Sequence, residues 1–145
     1  MNSARQTLHI QNIDKHRQLT MAAFDYIWAN PETGYREWKT HKYLKDAFEA
    51  LGYEITEAGN IPGFYADLDT GRPGPTVLVM GELDSLICPE HPEADPVTGA
   101  AHVCGHCAQC AALLGIAAAL KEPGMLDGMS GHTGGTERMI HLTGQ

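Results

Sequence analysis

The sequence predicts an α/β domain, with a mostly parallel, buried sheet flanked by helices, and three observations predict it. The first 52 residues hold two stretches whose apolar side chains recur at spacings of three and four. Residues 77–80, Val-Leu-Val-Met, form an unbroken apolar run that leads into Glu82 and Asp84. The third is the apolar segment AALLGIAAAL, which follows directly on a cluster of cysteines. Helix patterns interleaved with a doubly buried strand pattern are the mark of this class.

Taken in order, Ile13, Arg17, Met21, Phe24, Ile27 and Trp28 fall near one face of a helix, with Arg17 the polar interruption. Pro31 closes that helix by driving Asn30 out of the α region. After the turn-like Pro-Glu-Thr-Gly, Trp38, His41, Leu44, Phe48 and Leu51 recur at helical spacing, and Gly52 stands where a left-handed cap belongs. His41, on the apolar side, reads as a packed histidine and not as a ligand. Residues 53–56 and 64–68 are short strand candidates, and the turn Gly-Arg-Pro-Gly-Pro leads into the apolar run, which suits a central strand buried on both faces. Ligand sites in open α/β sheets gather beyond the carboxyl ends of such strands, where Glu82 and Asp84 lie. A proline-rich acidic loop then runs to His102, and the cysteine cluster is a loop ending in the N-terminus of a helix apolar on most sides. From Gly124 onward the chain is rich in glycine, with one strand candidate at 138–142, and does not read as the finish of a packed domain.

A chain of 145 residues suits one domain with a single core. Its 18 acidic and 10 basic residues give a net charge of −8, spread along the chain, which argues against nucleic acid or an anionic membrane as partner. No apolar run approaches the roughly 20 residues that span a bilayer, and the first residues lack the apolar core of a secretory signal. The expectation is a soluble, cytoplasmic protein. In a reducing compartment Cys88, Cys104, Cys107 and Cys110 suggest metal or catalytic chemistry more than a disulfide framework.

The strongest local signal is AHVCGHCAQC. Thiolate and imidazole are both good zinc ligands, and a helix N-terminus favours the thiolate form. Cys104 and His106 flank Gly105, which lets one turn aim both donors at one ion. The residues alone leave a second reading open, in which the side chains merely pack the start of a helix.

HVCGHCAQCAALLG resembles the His-x-Cys-Gly-His segment of the metallopeptidase family numbered twenty, in the branch of hippurate hydrolase, N-acyl amino acid amidohydrolases and p-aminobenzoyl-glutamate hydrolase. NPETGYREWKTHKYLKDAFEALGY is similar to that family's opening helix, Pro-Glu-x-Gly turn and second helix, and VLVMGELDSL resembles its strand ending in acid-x-Asp. The three motifs stand in the family's order over about residues 15 to 130. The resemblance implies the N-terminal portion of a zinc-peptidase-like catalytic domain, incomplete at its C-terminus, with a diverged tail at about 130–145 and no dimerisation or lid domain. It implies Cys104 and His106 as metal ligands, Asp84 as a supporting catalytic-site residue, and His102 and Glu82 as groups behind the ligands. It implies zinc or manganese, two ions in a complete enzyme, homodimeric relatives, and a small N-acyl amino acid or peptide as substrate.

Two departures bear on this. Cys107 stands where the family shows Asp or Asn, and Cys110 lies one residue past a usual His. The family's general-base glutamate has no counterpart in context, so the 145 residues alone are expected to be inactive. Two other classes compete: an iron–sulfur or structural zinc module on Cys88, Cys104, Cys107 and Cys110, and a non-catalytic remnant that only associates with something else.

Overall fold

The structure is a computed structural model and describes residues 3–73, 76–127 and 137–144. Helices α1 (Ser3–Lys15) and α2 (Arg17–Trp28) stand where the periodicity suggested one helix. His16 separates them, at φ −98° and ψ 12°. The buried stripe differs too: Ala23 and Ile27 are fully buried, whereas Ile13 and Met21 are more than half exposed. The reason is steric. Thr20, one turn before Ala23, meets Gly115 so closely that a Cβ there would stand 2.5 Å from the threonine Oγ1, so this face of α2 is the one pressed inward.

Helix α3 (Trp38–Ala50) buries Thr40, His41, Leu44 and Phe48. Its own N-cap side chain makes no capping bond. Glu32, in the preceding turn, caps the helix from a distance: its carboxylate accepts the N–H groups of Lys39 and Thr40 at 3.0–3.1 Å, where the helix leaves donors unpaired and its dipole favours negative charge. At the other end Gly52 takes the expected left-handed conformation, φ 79°. His41 is a packed residue, its Nδ1 accepting the Gly63 N–H at 3.0 Å. Phe48 centres an aromatic cluster, with ring centroids 5.3 Å from Phe64 and 5.4 Å from Tyr53. A side chain of this size contributes about 1.5–3 kcal/mol on full burial.

The sheet joins β1 (Ile55–Glu57), β2 (Phe64–Pro73), β3 (Val77–Gly81) and β6 (Glu137–Gly144) in the order β1-β2-β6-β3. A small second ladder pairs β4 (Leu86–Ile87) with β5 (Ala100–Ala101). The class is α/β, but the described pairing corrects the expectation of a mostly parallel sheet. Only β3 with β6 is parallel, because only those strands are joined by a helical crossover; β1–β2 and β2–β6 are antiparallel. The doubly buried strand is corrected as well. Val77, Leu78 and Met80 are 50–55% exposed, since α4 (His106–Leu120) covers one face of β3 and no described element covers the other.

Helix α4 is the axis of the molecule. It packs on β3 and β6 on one side and on α1, α2 and α3 on the others, which is why apolar residues surround it. Tyr53 Oη donates to the Ala117 carbonyl at 2.8 Å, and burial pushes its phenol up to about 12. Among the described residues no helix is long and apolar enough to cross a membrane.

Candidate metal centre

Beyond the end of β3 burial alternates, with Glu82 exposed, Leu83 buried and Asp84 half-buried, so Leu83 and the two carboxylates point to opposite sides. Leu83 enters the core fully buried, which turns both carboxylates the other way. The next residue fixes the segment: Ser85 N–H and Oγ both donate to the Glu32 carbonyl, at 2.7 and 2.8 Å. Opposite this strand end, Gly105 at φ 90° swings the chain into α4, and a side chain there would be strained whatever the space around it.

His106, the first residue of α4, comes to rest between the two carboxylates. Its Nδ1 lies 2.7 Å from Asp84 Oδ1 and its Nε2 lies 2.8 Å from Glu82 Oε2. The Nδ1 side fits a ligand imidazole, because a carboxylate there holds the proton on that nitrogen and leaves the Nε2 lone pair free. The Nε2 side faces the second carboxylate, that of Glu82. Two donors on one tetrahedral zinc, each about 2.0–2.1 Å from it, stand roughly 3.3 Å apart, so Glu82 must turn aside for an ion to enter. Its side chain is 53% exposed and free to do so.

Cys104 is exposed and reduced, in the bend before Gly105. Cys107 is buried, and burial first, then the nearby charge of Cys104, raises its thiol pKa. Cys110 is turned to the strand: its Sγ donates to the Glu82 carbonyl at 3.0 Å, and burial pushes it up to about 12. His102 is buried under the site, stacked on Trp28 with centroids 6.4 Å apart. Burial lowers its pKa, and neither ring nitrogen makes a hydrogen bond of good geometry, although the Ile27 carbonyl and Asp84 lie near.

The structure thus brings Glu82, Asp84 and His106 together, with His102 buried nearby, while Cys104 stands exposed in the bend two residues before His106. Among the described residues no group of three or more His, Cys, Asp and Glu side chains is arranged to hold a metal ion. The thiolate-cluster reading finds no such grouping among the described residues, and Cys110 is turned to the Glu82 carbonyl instead. One acid escaped the sequence pattern. Glu37 is buried, accepts the Tyr35 N–H at 2.9 Å, and has its carboxyl pKa raised by burial and secondarily by Asp84. With Gly34, Tyr35, Met80, Glu82 and Asp84 it lines a cavity of about 290 Å³ beside His106. The only hint was its place in Pro-Glu-Thr-Gly-Tyr-Arg-Glu, and burial of that acid depends on tertiary packing.

No protein-family model matches the chain. It is similar to N-acetyl-L-cysteine deacetylase of Bacillus subtilis (strain 168), 33% identical over 95 residues, covering 63% of this chain and 23% of that protein. It is also similar to a p-aminobenzoyl-glutamate hydrolase polypeptide of Escherichia coli (strain K12), 32% identical over 103 residues, covering 65% of this chain and 21% of that one. Among solved structures, the Bacillus subtilis YXEP protein, a dinuclear metal binding peptidase from the M20 family, shares the fold with a TM-score of 0.63 at 21% identity, over 97% of this chain and 35% of that one. The chain therefore spans about a quarter of the length of the curated relatives it matches.

Proposed function

We propose, from the premise that this chain's homologues are amidohydrolases and peptidases of the M20 family, that its 145 residues supply part of a metal centre for amide hydrolysis. The substrate class is an N-acyl amino acid or small peptide, the ion zinc or manganese, and the compartment the cytoplasm, where four free thiols persist. The observation that carries the reading is the imidazole of His106 fixed by Asp84 at the strand end, with Cys104 two residues upstream.

In this reading Cys104 and His106 hold the ion, and the bound ion supplies carbonyl polarisation and a water acidic enough to react at neutral pH. The chain's own groups set that up. Asp84 keeps the proton on Nδ1 and the ring in one plane. Glu82 yields Nε2 and remains beside it as a second acidic group. Cys110 anchors the first turn of α4 to the Glu82 carbonyl, so helix and strand end keep their spacing. The cavity over Glu37 and Tyr35 offers room next to the site for the substrate's acyl or amino acid part. Catalytic zinc takes three protein ligands, and the two proposed here fall short of that. The 145 residues by themselves are expected to bind an ion weakly and to show no turnover of N-acetyl amino acids.

The test is metal content of purified, folded protein after equilibration with zinc. Wild type should bind the ion in equilibrium dialysis against buffered zinc, and Cys104→Ala or His106→Ala should each bring binding to background. Equal zinc in all three proteins would end the assignment, and turnover by the 145-residue protein would remove the expectation of inactivity.

A further inference from the structure

The same turn that carries the proposed ligands also carries a second chemistry. Cys104 and Cys107 form a Cys-x-x-Cys pair, Cys-Gly-His-Cys, astride the start of a 15-residue helix. Cys104 is solvent-exposed in the bend, Cys107 is 1% exposed in the first turn, and both are free thiols. Cys104 stands in the bend two residues before the helix begins, and its charge is felt at the Cys107 thiol, so the two sulfurs are neighbours; bringing their Cβ atoms to the roughly 3.5–4.5 Å of a disulfide takes a rotation of the bend. Gly105 supplies the rotation, since its left-handed backbone carries no side chain and nothing lies within 4 Å of where one would be. The asymmetry of exposure is the one that dithiol exchange uses: an outer sulfur that meets the oxidant and an inner one that resolves the adduct.

We infer that Cys104 and Cys107 are a reversible dithiol–disulfide switch whose oxidised form withdraws Cys104 from the metal centre. The oxidant is a small-molecule disulfide. Cys104, as thiolate, attacks one sulfur of that disulfide, forming a mixed disulfide and releasing one thiolate. Cys107 then loses its proton and attacks Cys104 Sγ, so the internal bond forms and the second small thiol departs. Two protein thiols are oxidised, one small disulfide is reduced to two thiols, and the protons lost from the cysteines end on the products. The sulfur of Cys104 is then bonded to Cys107 and no longer available as an anionic ligand. Cys110 is held out of the exchange by its bond to the Glu82 carbonyl. The disulfide itself stands without the metal reading, whereas its effect on the ion rests on that reading.

The experiment equilibrates the folded 145-residue protein with glutathione buffers of increasing oxidised fraction, quenches with acid, and reads intact mass, the cross-linked peptide and bound zinc. Wild type should lose the mass of two hydrogens, yield a Cys104–Cys107 linked peptide, and release its zinc in parallel, all reversed by dithiothreitol. Cys107→Ser should stop at a glutathione adduct on Cys104. Should wild type stop at that adduct too, or cross-link Cys88 or Cys110 instead, the switch is overturned. If the disulfide forms in a protein that bound no zinc when reduced, the metal reading fails and the dithiol stands. If the disulfide forms and zinc stays bound, the regulatory half is lost.

Discussion

The imidazole of His106 has a carboxylate against each nitrogen, and a neutral ring can donate to only one of them. Asp84 is therefore the residue whose charge decides what His106 can do. Asp84→Asn keeps the shape but no longer favours the Nδ1–H tautomer, and zinc affinity should fall by about 10–100-fold; competition with a chromogenic chelator measures it, and an unchanged affinity would reduce Asp84 to a packing role. The thiols divide by environment in the same way. Alkylation of reduced, folded protein at pH 8 should modify Cys104 first and Cys88 next, while Cys107 and Cys110 react only on unfolding, because burial keeps a reagent in solution away from both inner thiols and pushes the Cys110 thiol up to about 12. Peptide mapping over time reads the order, and early labelling of Cys110 would contradict the packing of α4 on the strand end.

At the scale of elements, the contact between α2 and α4 turns on one missing side chain. Replacing a helical glycine by alanine ordinarily gains about 1 kcal/mol, yet at Gly115 the new methyl would meet Thr20 Oγ1 at 2.5 Å. Gly115→Ala should destabilise the protein by about 1–3 kcal/mol, and the same change in a Thr20→Ala background should be neutral or stabilising; thermal or urea melts of the four proteins close the cycle. This contact also shows what the sequence could reveal. The existence of α4 was legible because apolar residues ringed it, α3 because its period and Gly52 agreed, and the grouping of Glu82, Asp84 and His106 because motif order placed a strand end against a helix start. The break at His16 carries no proline or glycine to announce it, and the inward face of α2 is chosen by Gly115, almost a hundred residues away. Glu32 capping α3 and Glu37 buried beside Asp84 are likewise tertiary facts, invisible to any local pattern.

At the scale of the molecule, β3 is an edge of the described sheet and presents Val77, Leu78 and Met80 half exposed. An apolar edge strand with unpaired backbone groups invites pairing with another chain. Concentration-dependent self-association is therefore expected in sedimentation velocity, and Leu78→Lys should shift the distribution toward monomer; a wild type monomeric at every concentration would show that edge to be covered. The position of β6 matters differently. It lies between β2 and β3 although it follows both, and α4, in the chain. A ribosome must thus deliver α1 to α4 and the other described strands before the middle of the described sheet exists, leaving β3 apart from the β1–β2 ribbon in the meantime. Folding is postponed until synthesis has passed residue 144, and the nascent protein depends on whatever shields its strands during that wait.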